Sequence, residues 1–142
     1  MNSPLTTPDR AFLQNLDHVL ERHLSDSAFS IRRLLRAVGM SRTDLHRKLE
    51  RTVKMSATEY VRFVRLRRAA FLMRNNPEWS ISTVAFEVGF NSQSYFTRKF
   101  KETFGHCPEQ WKSMQVNQIP DNTPLETITI KHKKHEPDTN HQ

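Results

Sequence analysis

The sequence predicts an all-α fold of seven helices, in which two similar units are joined by a long linker helix. Apolar residues recur three and four positions apart through most of the chain, as they do on the buried face of a helix. Only three glycines occur in 142 residues, which is few for a fold with many tight turns. A stretch of about thirty residues also occurs twice, with a period of about fifty. At this length we expect one domain or two very small ones.

The first predicted helix follows a polar lead-in. Residues 1–8 contain two prolines and no apolar periodicity, so we expect them to be flexible. Thr7 or Asp9 is placed to cap the helix, and apolar residues keep helical spacing to about His23. A Ser-Asp-Ser triplet then interrupts the pattern, so we predict that the helix ends there.

Two further helices follow, with a glycine between them. Ser30 is placed to cap a short helix that ends at Gly39, where the chain turns. Ser41 is placed to cap the next helix, with Asp44 three residues later as an acidic variant of the capping box. We predict that residues 9–55 form the first helix-turn-helix unit.

The longest predicted helix lies in the middle of the chain. Ser56 and Glu59 form a capping box at its start, and the helical spacing continues to about Asn75, where Asn-Asn-Pro stops it. One side of this helix is apolar, and five arginines make the helix as a whole basic. These arginines are Arg62, Arg65, Arg67, Arg68 and Arg74. We therefore predict a linker helix over residues 56–76.

Three helices are predicted after the linker helix. Ser80 and Ser92 are placed to cap two of them, which are separated by a turn at Gly89. Gly105 ends the second of these helices as a C-cap, and Pro108 begins a last short one. The pattern repeats that of the N-terminal half and predicts a second helix-turn-helix unit.

This second unit is predicted over residues 77–115, after which the composition changes. Residues 116–142 are polar, contain three prolines and include the run KHKKH, so we predict a disordered tail. The segment LETITI alternates as a strand does, but no other segment of the chain is suited to pair with it.

The internal repeat is the observation on which the functional prediction depends. Residues 31–60 align with residues 81–111, and the offset grows by one after the glycine turn. The matched positions are Ile31 with Ile81, Leu34 with Val84, Val38 with Val88, Gly39 with Gly89, Ser41 with Ser92, Leu45 with Phe96, Leu49 with Phe100 and Tyr60 with Trp111. Each copy is predicted to be a short helix, a turn and a second helix.

The second helix of each copy is predicted to present a polar and basic face. Its two apolar residues, four positions apart, fix one side against the first helix and leave the opposite side free. The free positions are Arg42, Thr43, His46 and Arg47 in the first copy and Gln93, Ser94, Thr97 and Arg98 in the second. Such a face suits the major groove of DNA, and an ordinary helical bundle with solvated charges is the alternative.

The charge distribution favours a polyanionic partner. The formal net charge is +7 and the sequence pI is about 10.0. Residues 29–116 hold 17 Lys and Arg against 7 Asp and Glu, so the positive charge is concentrated in the predicted units. The composition alone leaves nucleic acid, an anionic membrane and an acidic protein open.

Other classes of protein find little support in the sequence. Cys107 is the only cysteine, which excludes an internal disulfide and is compatible with the reducing cytoplasm. No stretch approaches the roughly 20 apolar residues that span a bilayer. We predict no enzyme activity, no cofactor and no metal site, because Cys107 has only His106 beside it and the pair His132 and His135 lacks further ligands.

Three motifs resemble the DNA-binding domain of the AraC/XylS family. They are VGMSRTDLHRKL (38–49), EYVRFVRLRRAAFLM (59–73) and SISTVAFEVGFNSQSYFTRKFKETFGHCPEQW (80–111). The resemblance implies a homeodomain-like double helix-turn-helix that binds double-stranded DNA sequence-specifically and regulates transcription in bacteria. It also implies activation, contact with RNA polymerase and association with the nucleoid. Two helices would enter successive major grooves, one DNA turn of about 34 Å apart.

The resemblance assigns site residues by position. Base contacts fall on Thr43, His46, Arg47, Gln93, Ser94, Thr97 and Arg98. We expect Arg47 to recognise guanine, because a guanidinium can bond O6 and N7 together, with a phosphate contact as the alternative; the same two interpretations apply to Arg98. Phosphate contacts are expected at Ser41 and Ser92, which begin the two helices, and at nearby cations. These cations are Arg42, Lys48, Arg51, Lys99 and Lys101.

The chain departs from the family pattern in the first unit. Lys54 and Ala57 stand where the second unit keeps Gly105 and Pro108, so we expect a differently shaped loop after the second helix. Leu35 stands where a small residue usually lets the helices approach, so we expect this unit to be slightly more open.

Two questions about the biological context stay open at this point. The chain resembles stand-alone activators, but residues 9–30 also resemble the segment that precedes this domain in response regulators and hybrid sensor kinases. The alternative function is a protein-interaction module on the same fold, either an anti-activator or a scaffold that contacts polymerase. RNA binding is less favoured, because the aromatic residues keep core spacing.

Overall fold

The computed structural model describes residues 5–114, and this part of the chain contains seven α-helices and no strand. The helices are α1 (Thr7–Glu21), α2 (Ile31–Val38), α3 (Arg42–Thr52), α4 (Ala57–Asn75), α5 (Ile81–Glu87), α6 (Gln93–Phe104) and α7 (Pro108–Ser113). The predicted all-α class is confirmed. The predicted disordered tail, residues 116–142 with its LETITI segment and His132 and His135, lies outside the described residues.

Serine side chains fix where five of the helices begin. The backbone of each serine is extended, and its hydroxyl accepts a hydrogen bond from the backbone N–H three residues later. That N–H would otherwise lack a partner at the start of the helix. These serines are Ser30, Ser41, Ser56, Ser80 and Ser92. The start of α4 also has the second half of the capping box, because Glu59 accepts from the N–H of Ser56 at 2.9 Å. All five caps agree with the sequence prediction.

The start of α1 differs from the prediction. Thr6 is the N-cap, whereas Thr7 or Asp9 was expected, and Asp9 returns the bond to the N–H of Thr6 as in a capping box. Pro8 in the first turn is compatible with the helix, because its missing N–H would have no partner there. Residues 7 and 8 are therefore the first residues of α1.

Two hydrophobic cores share the long helix α4. The first core packs α1, α2 and α3 against the N-terminal half of α4, up to Val64. The second core packs α5, α6 and α7 against the C-terminal half, from Leu66 onward. Between them lies Arg65, whose side chain is 7% exposed and therefore does not belong to the basic surface on which the sequence placed it.

Helix α1 is fixed to the first unit by two acidic residues. Asp9 forms an ion pair of 2.8 Å with Arg51 of α3. Asp17 accepts hydrogen bonds from the hydroxyl of Tyr60 and, at 3.0 Å, from Arg67, both on α4. The helix is thus an integral part of this unit.

The loops after α3 and α6 share a left-handed residue but differ in hydrogen bonding. The N–H of Lys54 donates to the carbonyl of Leu49, five residues earlier, whereas that of Gly105 donates to Lys101, four residues earlier. Lys54 has a φ of 60°, and Gly105 at the matched position after α6 has a φ of 86°. Both residues are in the left-handed region, where a side chain is disfavoured but a glycine is not. The chain therefore makes the left-handed turn here without the usual glycine. The more open packing expected at Leu35 stays a prediction.

Candidate nucleic-acid interface

Helix α3 is held by its inner face and presents its outer face to solvent. Leu45 and Leu49, four residues apart, are 1% and 0% exposed in the first core. One or two positions away, the predicted base-contacting residues point outward. Thr43, His46 and Arg47 are all exposed, and so is Arg42 of the expected phosphate-contacting set. The alternation follows from 3.6 residues per turn, which brings residues four apart to one face.

Helix α6 is held in the same way by aromatic residues. Phe96 and Phe100 are fully buried and form edge or tilted ring contacts with Phe90, Phe104 and Trp111. The outer face holds the predicted base-contacting residues of the second unit. Gln93, Ser94 and Arg98 are exposed, and Thr97 is half-buried. Helices α3 and α6 are therefore each held rigidly by a buried apolar side and expose a polar side to solvent.

The two arginines expected to contact bases differ in what holds them. The side chain of Arg47 is 69% exposed and bonds to Asp44 at 3.3 Å, one turn earlier on the same helix. Such an exposed pair is worth little in water, so it can open when a stronger acceptor arrives. Arg98 is exposed and stacks over the ring of Tyr95, 5.2 Å from its centroid. That contact restrains the guanidinium without using its hydrogen-bond donors.

Several residues of the expected phosphate set lie beside these faces. Ser41 and Ser92 are exposed at the N-termini of α3 and α6, where the helix dipole is positive. Arg42 and Lys101 are also exposed. This part of the set can meet an anionic backbone without breaking a buried contact.

The remaining three cations of that set are engaged with the protein. Arg51 binds Asp9, and the Lys48 ammonium lies 5.6 Å from the centroid of the Phe12 ring, so both are directed toward α1. Lys99 is only 14% exposed and bonds to Glu102 at 3.1 Å. It lines the junction of α6 with α4, so the structure does not place it on the outward face.

Two arginines on α2 were not singled out from the sequence. Arg32 and Arg36 are exposed and lie four residues apart on one side of that helix. The matched positions of α5 hold Ser82 and Phe86, and Phe86 is 66% exposed. In helix-turn-helix proteins the first helix crosses the DNA backbone, so the arginine spacing in IRRLLRAV could have indicated these residues.

Other kinds of site are not found among residues 5–114. No three His, Cys, Asp or Glu side chains lie together as metal ligands would. No helix in the same range is both long and apolar enough to cross a bilayer. Cys107 is the N-cap residue of α7 and is half-buried.

The chain matches a known protein family over most of its described residues. The sequence pattern of a helix-turn-helix domain matches residues 34–114, which is more than half of the chain. The chain belongs to this family. The match runs from within α2 through the linker helix to the end of α7, and the resemblance to the AraC/XylS DNA-binding domain is confirmed.

Relatives of this AraC/XylS domain include whole regulators and signalling proteins. Histidine kinase P4 of Formosa agariphila is 27% identical over 115 residues, which are 81% of this chain and 8% of the kinase. The transcriptional activator RhaR of Mannheimia succiniciproducens is 28% identical over 105 residues, 74% of this chain and 37% of RhaR. The chain therefore spans well under half the length of these relatives.

A solved structure shares the fold of this AraC/XylS domain. The C-terminal domain of AraT, a response regulator from Geobacillus stearothermophilus, superposes with a TM-score of 0.60 at 24% identity. The superposition covers 78% of this chain and 87% of the AraT domain. At this level of identity the likeness concerns the fold alone. The family match and the relatives named as transcriptional regulators support a DNA-binding domain of a transcription regulator.

Proposed function

We propose that this AraC/XylS domain inserts α3 and α6 into successive major grooves on one face of double-stranded DNA and binds a specific sequence there. One observation carries the proposal: both helices bury an apolar pair on the inner side and expose polar and basic side chains on the outer side. A rigid helix with this distribution fits the width of the major groove.

Base recognition is assigned to the two outer faces. In α3, Arg47 takes O6 and N7 of a guanine, with Thr43 and His46 on neighbouring base edges. In α6, Arg98 has the same role. Gln93, Ser94 and Thr97 stand beside it at the bases of the second groove. The exposure of both arginines supports this assignment, because neither has to leave a buried site.

Phosphate binding is assigned to residues around those faces. Ser41 and Ser92 bring helix N-termini to the backbone, and Arg42 and Lys101 add positive charge. Arg32 and Arg36 of α2 extend the first unit along the backbone, while Lys48 and Arg51 add a weaker contribution from the side of α1. Lys99 is left out of this set because its ammonium is paired with Glu102 beside α4.

In its cellular context, we infer that the domain activates transcription and contacts RNA polymerase at the nucleoid. The relative RhaR is named a transcriptional activator, and the kinase and AraT relatives are signalling proteins that contain such a domain. We therefore favour the assignment of this chain as the DNA-binding output domain of a larger response regulator or hybrid sensor kinase.

The proposal is tested by selecting DNA from a random library with the purified chain and footprinting the enriched sequence. We expect two protected half-sites about one helical turn, 10–10.5 base pairs, apart. Affinity should fall steeply with salt, with a log–log slope of several units from released counterions. A reporter gene placed behind the selected site then tests activation.

Two results would contradict the proposal. A library without any enriched sequence, combined with affinity that does not respond to salt, would favour the protein-interaction module. The double variant Arg47→Ala, Arg98→Ala is the matched control, since it removes both base-contacting arginines and leaves the cores untouched. If this variant selects the same sequence with equal affinity, the assigned faces are not the ones that contact the bases.

A further inference from the structure

Arg65 joins the two helix-turn-helix units directly. Its Nη1 donates hydrogen bonds to the carbonyl oxygens of Leu24 and Val88, at 2.5 and 2.7 Å, and its Nη2 donates to the carbonyl oxygen of Asp26 at 3.2 Å. Leu24 and Asp26 lie between α1 and α2, in the first unit. Val88 ends α5, in the second unit. A single nitrogen atom therefore bridges backbone groups of both units.

The surroundings make this bridge rigid. Arg65 is 7% exposed and lies on α4 between the last residue of the first core, Val64, and the first of the second core, Leu66. A buried guanidinium is stable only with its donors satisfied, and its planar fork fixes the directions of the acceptors. Any rocking of one unit against the other would break one of these bonds at a substantial cost.

Gly89 gives independent support for close contact between the units. A Cβ at this position would overlap both the guanidinium of Arg65 and the carbonyl oxygen of Leu24. The matched Gly39 also has a positive φ, but apart from its own neighbours in the chain no atom lies within 4 Å of the place that its Cβ would take. Gly39 therefore serves only the turn, whereas Gly89 also makes room for the bridge to the other unit.

We propose that Arg65 is a positioning residue that fixes the separation and twist between α3 and α6, and thereby the half-site spacing that the domain accepts. This inference rests on the proposed function. One inserted base pair changes the axial distance by about 3.4 Å and the direction of the groove by about 35°. If Arg65 holds the two units in one arrangement, the domain cannot adjust to such a change. If the units are joined only through α4 and can move relative to one another, the domain can adjust.

The first test measures affinity for DNA in which the two selected half-sites are moved apart or together by one and two base pairs. The Arg65→Lys variant keeps the charge and reaches fewer carbonyl groups. The matched control is Arg67→Lys on the same helix, because Arg67 bonds α4 to Asp17 of α1 and does not bridge the two units as Arg65 does. Wild type and Arg67→Lys should prefer one spacing by roughly tenfold or more. Arg65→Lys should lose most of this preference while its affinity for a single half-site is unchanged.

The second test needs no DNA. Spin labels are attached at Glu50→Cys on α3 and Lys101→Cys on α6, both exposed positions, in a Cys107→Ser background. Electron paramagnetic resonance then gives the distribution of distances between the labels. We expect a narrow distribution for wild type and Arg67→Lys and a broader one for Arg65→Lys.

The outcomes separate this inference from the proposed function. A wild-type chain that selects no DNA sequence defeats the proposed function, while the label distances still decide whether Arg65 clamps the units. A broad distribution in the wild-type protein overturns the clamp without any variant. Equal widths and equal spacing preferences for wild type and a folded Arg65→Lys overturn it as well. If Arg65→Lys does not unfold cooperatively on heating and is therefore not folded, Arg65→Gln replaces it. If neither variant folds, the width of the wild-type distance distribution tests the clamp by itself.

Discussion

Lys54 and Gly105 stand at matched positions after α3 and α6, and both adopt a left-handed backbone, with φ of 60° and 86°. Among non-glycine residues 5–114, Lys54 alone has a positive φ. After this turn the next residue, Met55, lies in the first core, where it is 1% exposed. The N–H groups of Val53 and Lys54 both donate to the carbonyl of Leu49 at 2.9 Å, which closes the C-terminal end of α3.

Replacing Lys54 by glycine should stabilise the domain. A side chain in the left-handed region costs about 1–2 kcal/mol, and the extra freedom of glycine in the unfolded chain returns about half of the gain. We expect Lys54→Gly to raise the free energy of unfolding by about 0.5–1 kcal/mol, measured by urea denaturation. Gly105→Lys is the mirror control and should lower it by a similar amount, about 0.5–1 kcal/mol. A Lys54→Gly variant less stable than wild type would contradict the account.

Removing the arginine at the centre of either exposed face should reduce sequence-specific affinity. We expect Arg47→Ala or Arg98→Ala to cost about 1–3 kcal/mol on the selected site, because a bidentate contact with guanine is lost. Each variant should also accept other bases at one position of its own half-site. Titrations against the selected site and against every single-base substitution of it provide the measurement.

A different outcome would reassign these two arginines. If Arg47→Ala weakens binding to all sequences equally, Arg47 contacts a phosphate group. The pair with Asp44 provides a further check, since the Asp44→Asn variant frees Arg47 and removes a negative charge from the exposed face. We expect that variant to bind DNA at least as tightly as wild type.

Lys101 and Lys99 are two residues apart on α6 and should behave differently. Lys101 is exposed, so Lys101→Ala should weaken binding to all sequences and reduce the log–log salt slope by about 1. Lys99 is paired with Glu102, so Lys99→Ala should leave the salt slope unchanged. Binding measured over a series of salt concentrations distinguishes them. If both variants reduce the slope equally, the result would show that Lys99 breaks its bond to Glu102 and contacts DNA in the complex.

The parts of the fold that depend on neighbours in the chain were predictable from the sequence. Ser30, Ser56 and Ser92 bond to an N–H three residues later, and a rule about capping residues needs no more than that. The apolar pairs of α3 and α6 follow from helical periodicity. The internal repeat makes these two helices equivalent, so the residues of their outer faces could be predicted from spacing alone.

The role of Arg65 could not be predicted in this way. Its three acceptors lie 41, 39 and 23 residues away in the chain, and all are backbone carbonyls, which leave no trace in the residue types. The sequence shows only an arginine among four others on a basic helix. Its neighbours Val64 and Leu66 are both buried, so α4 is covered on all sides at residues 63–66. The two-sided pattern from which solvent exposure is judged is therefore lost at this point of the helix.

Lys99 and Arg51 show the same limitation on a smaller scale. Both lie next to the outward faces in sequence, so helical spacing alone allowed them to reach DNA. The structure instead pairs Arg51 with Asp9, 42 positions earlier, and pairs Lys99 with Glu102 beside α4. A cation at the edge of a helical face goes to whichever acceptor the tertiary structure brings near, and periodicity does not contain that information.

The pair of Asp9 and Arg51 should make the docking of α1 sensitive to acid. The hydrogen bond from Arg51, followed by those from Thr6, lowers the pKa of Asp9 from 3.8 to about 2. Because the folded pKa is the lower one, the stabilisation is fully present above about pH 4 and is lost as the pH falls toward 2. We therefore expect Asp9→Asn to be less stable than wild type at pH 6, and the difference to close between pH 4 and 2.

Urea unfolding of both proteins at pH 6, 4, 3 and 2 measures this difference, and the NMR titration of the Asp9 carboxyl carbon measures the pKa itself. Arg51→Met is the matched variant, because it removes the largest cause of the shift and leaves the carboxylate in place. In that variant the pKa of Asp9 should move back toward 3.8. A stability difference between wild type and Asp9→Asn that stays constant from pH 6 to 2 would show that the charge on Asp9 does not help to hold α1 against α3.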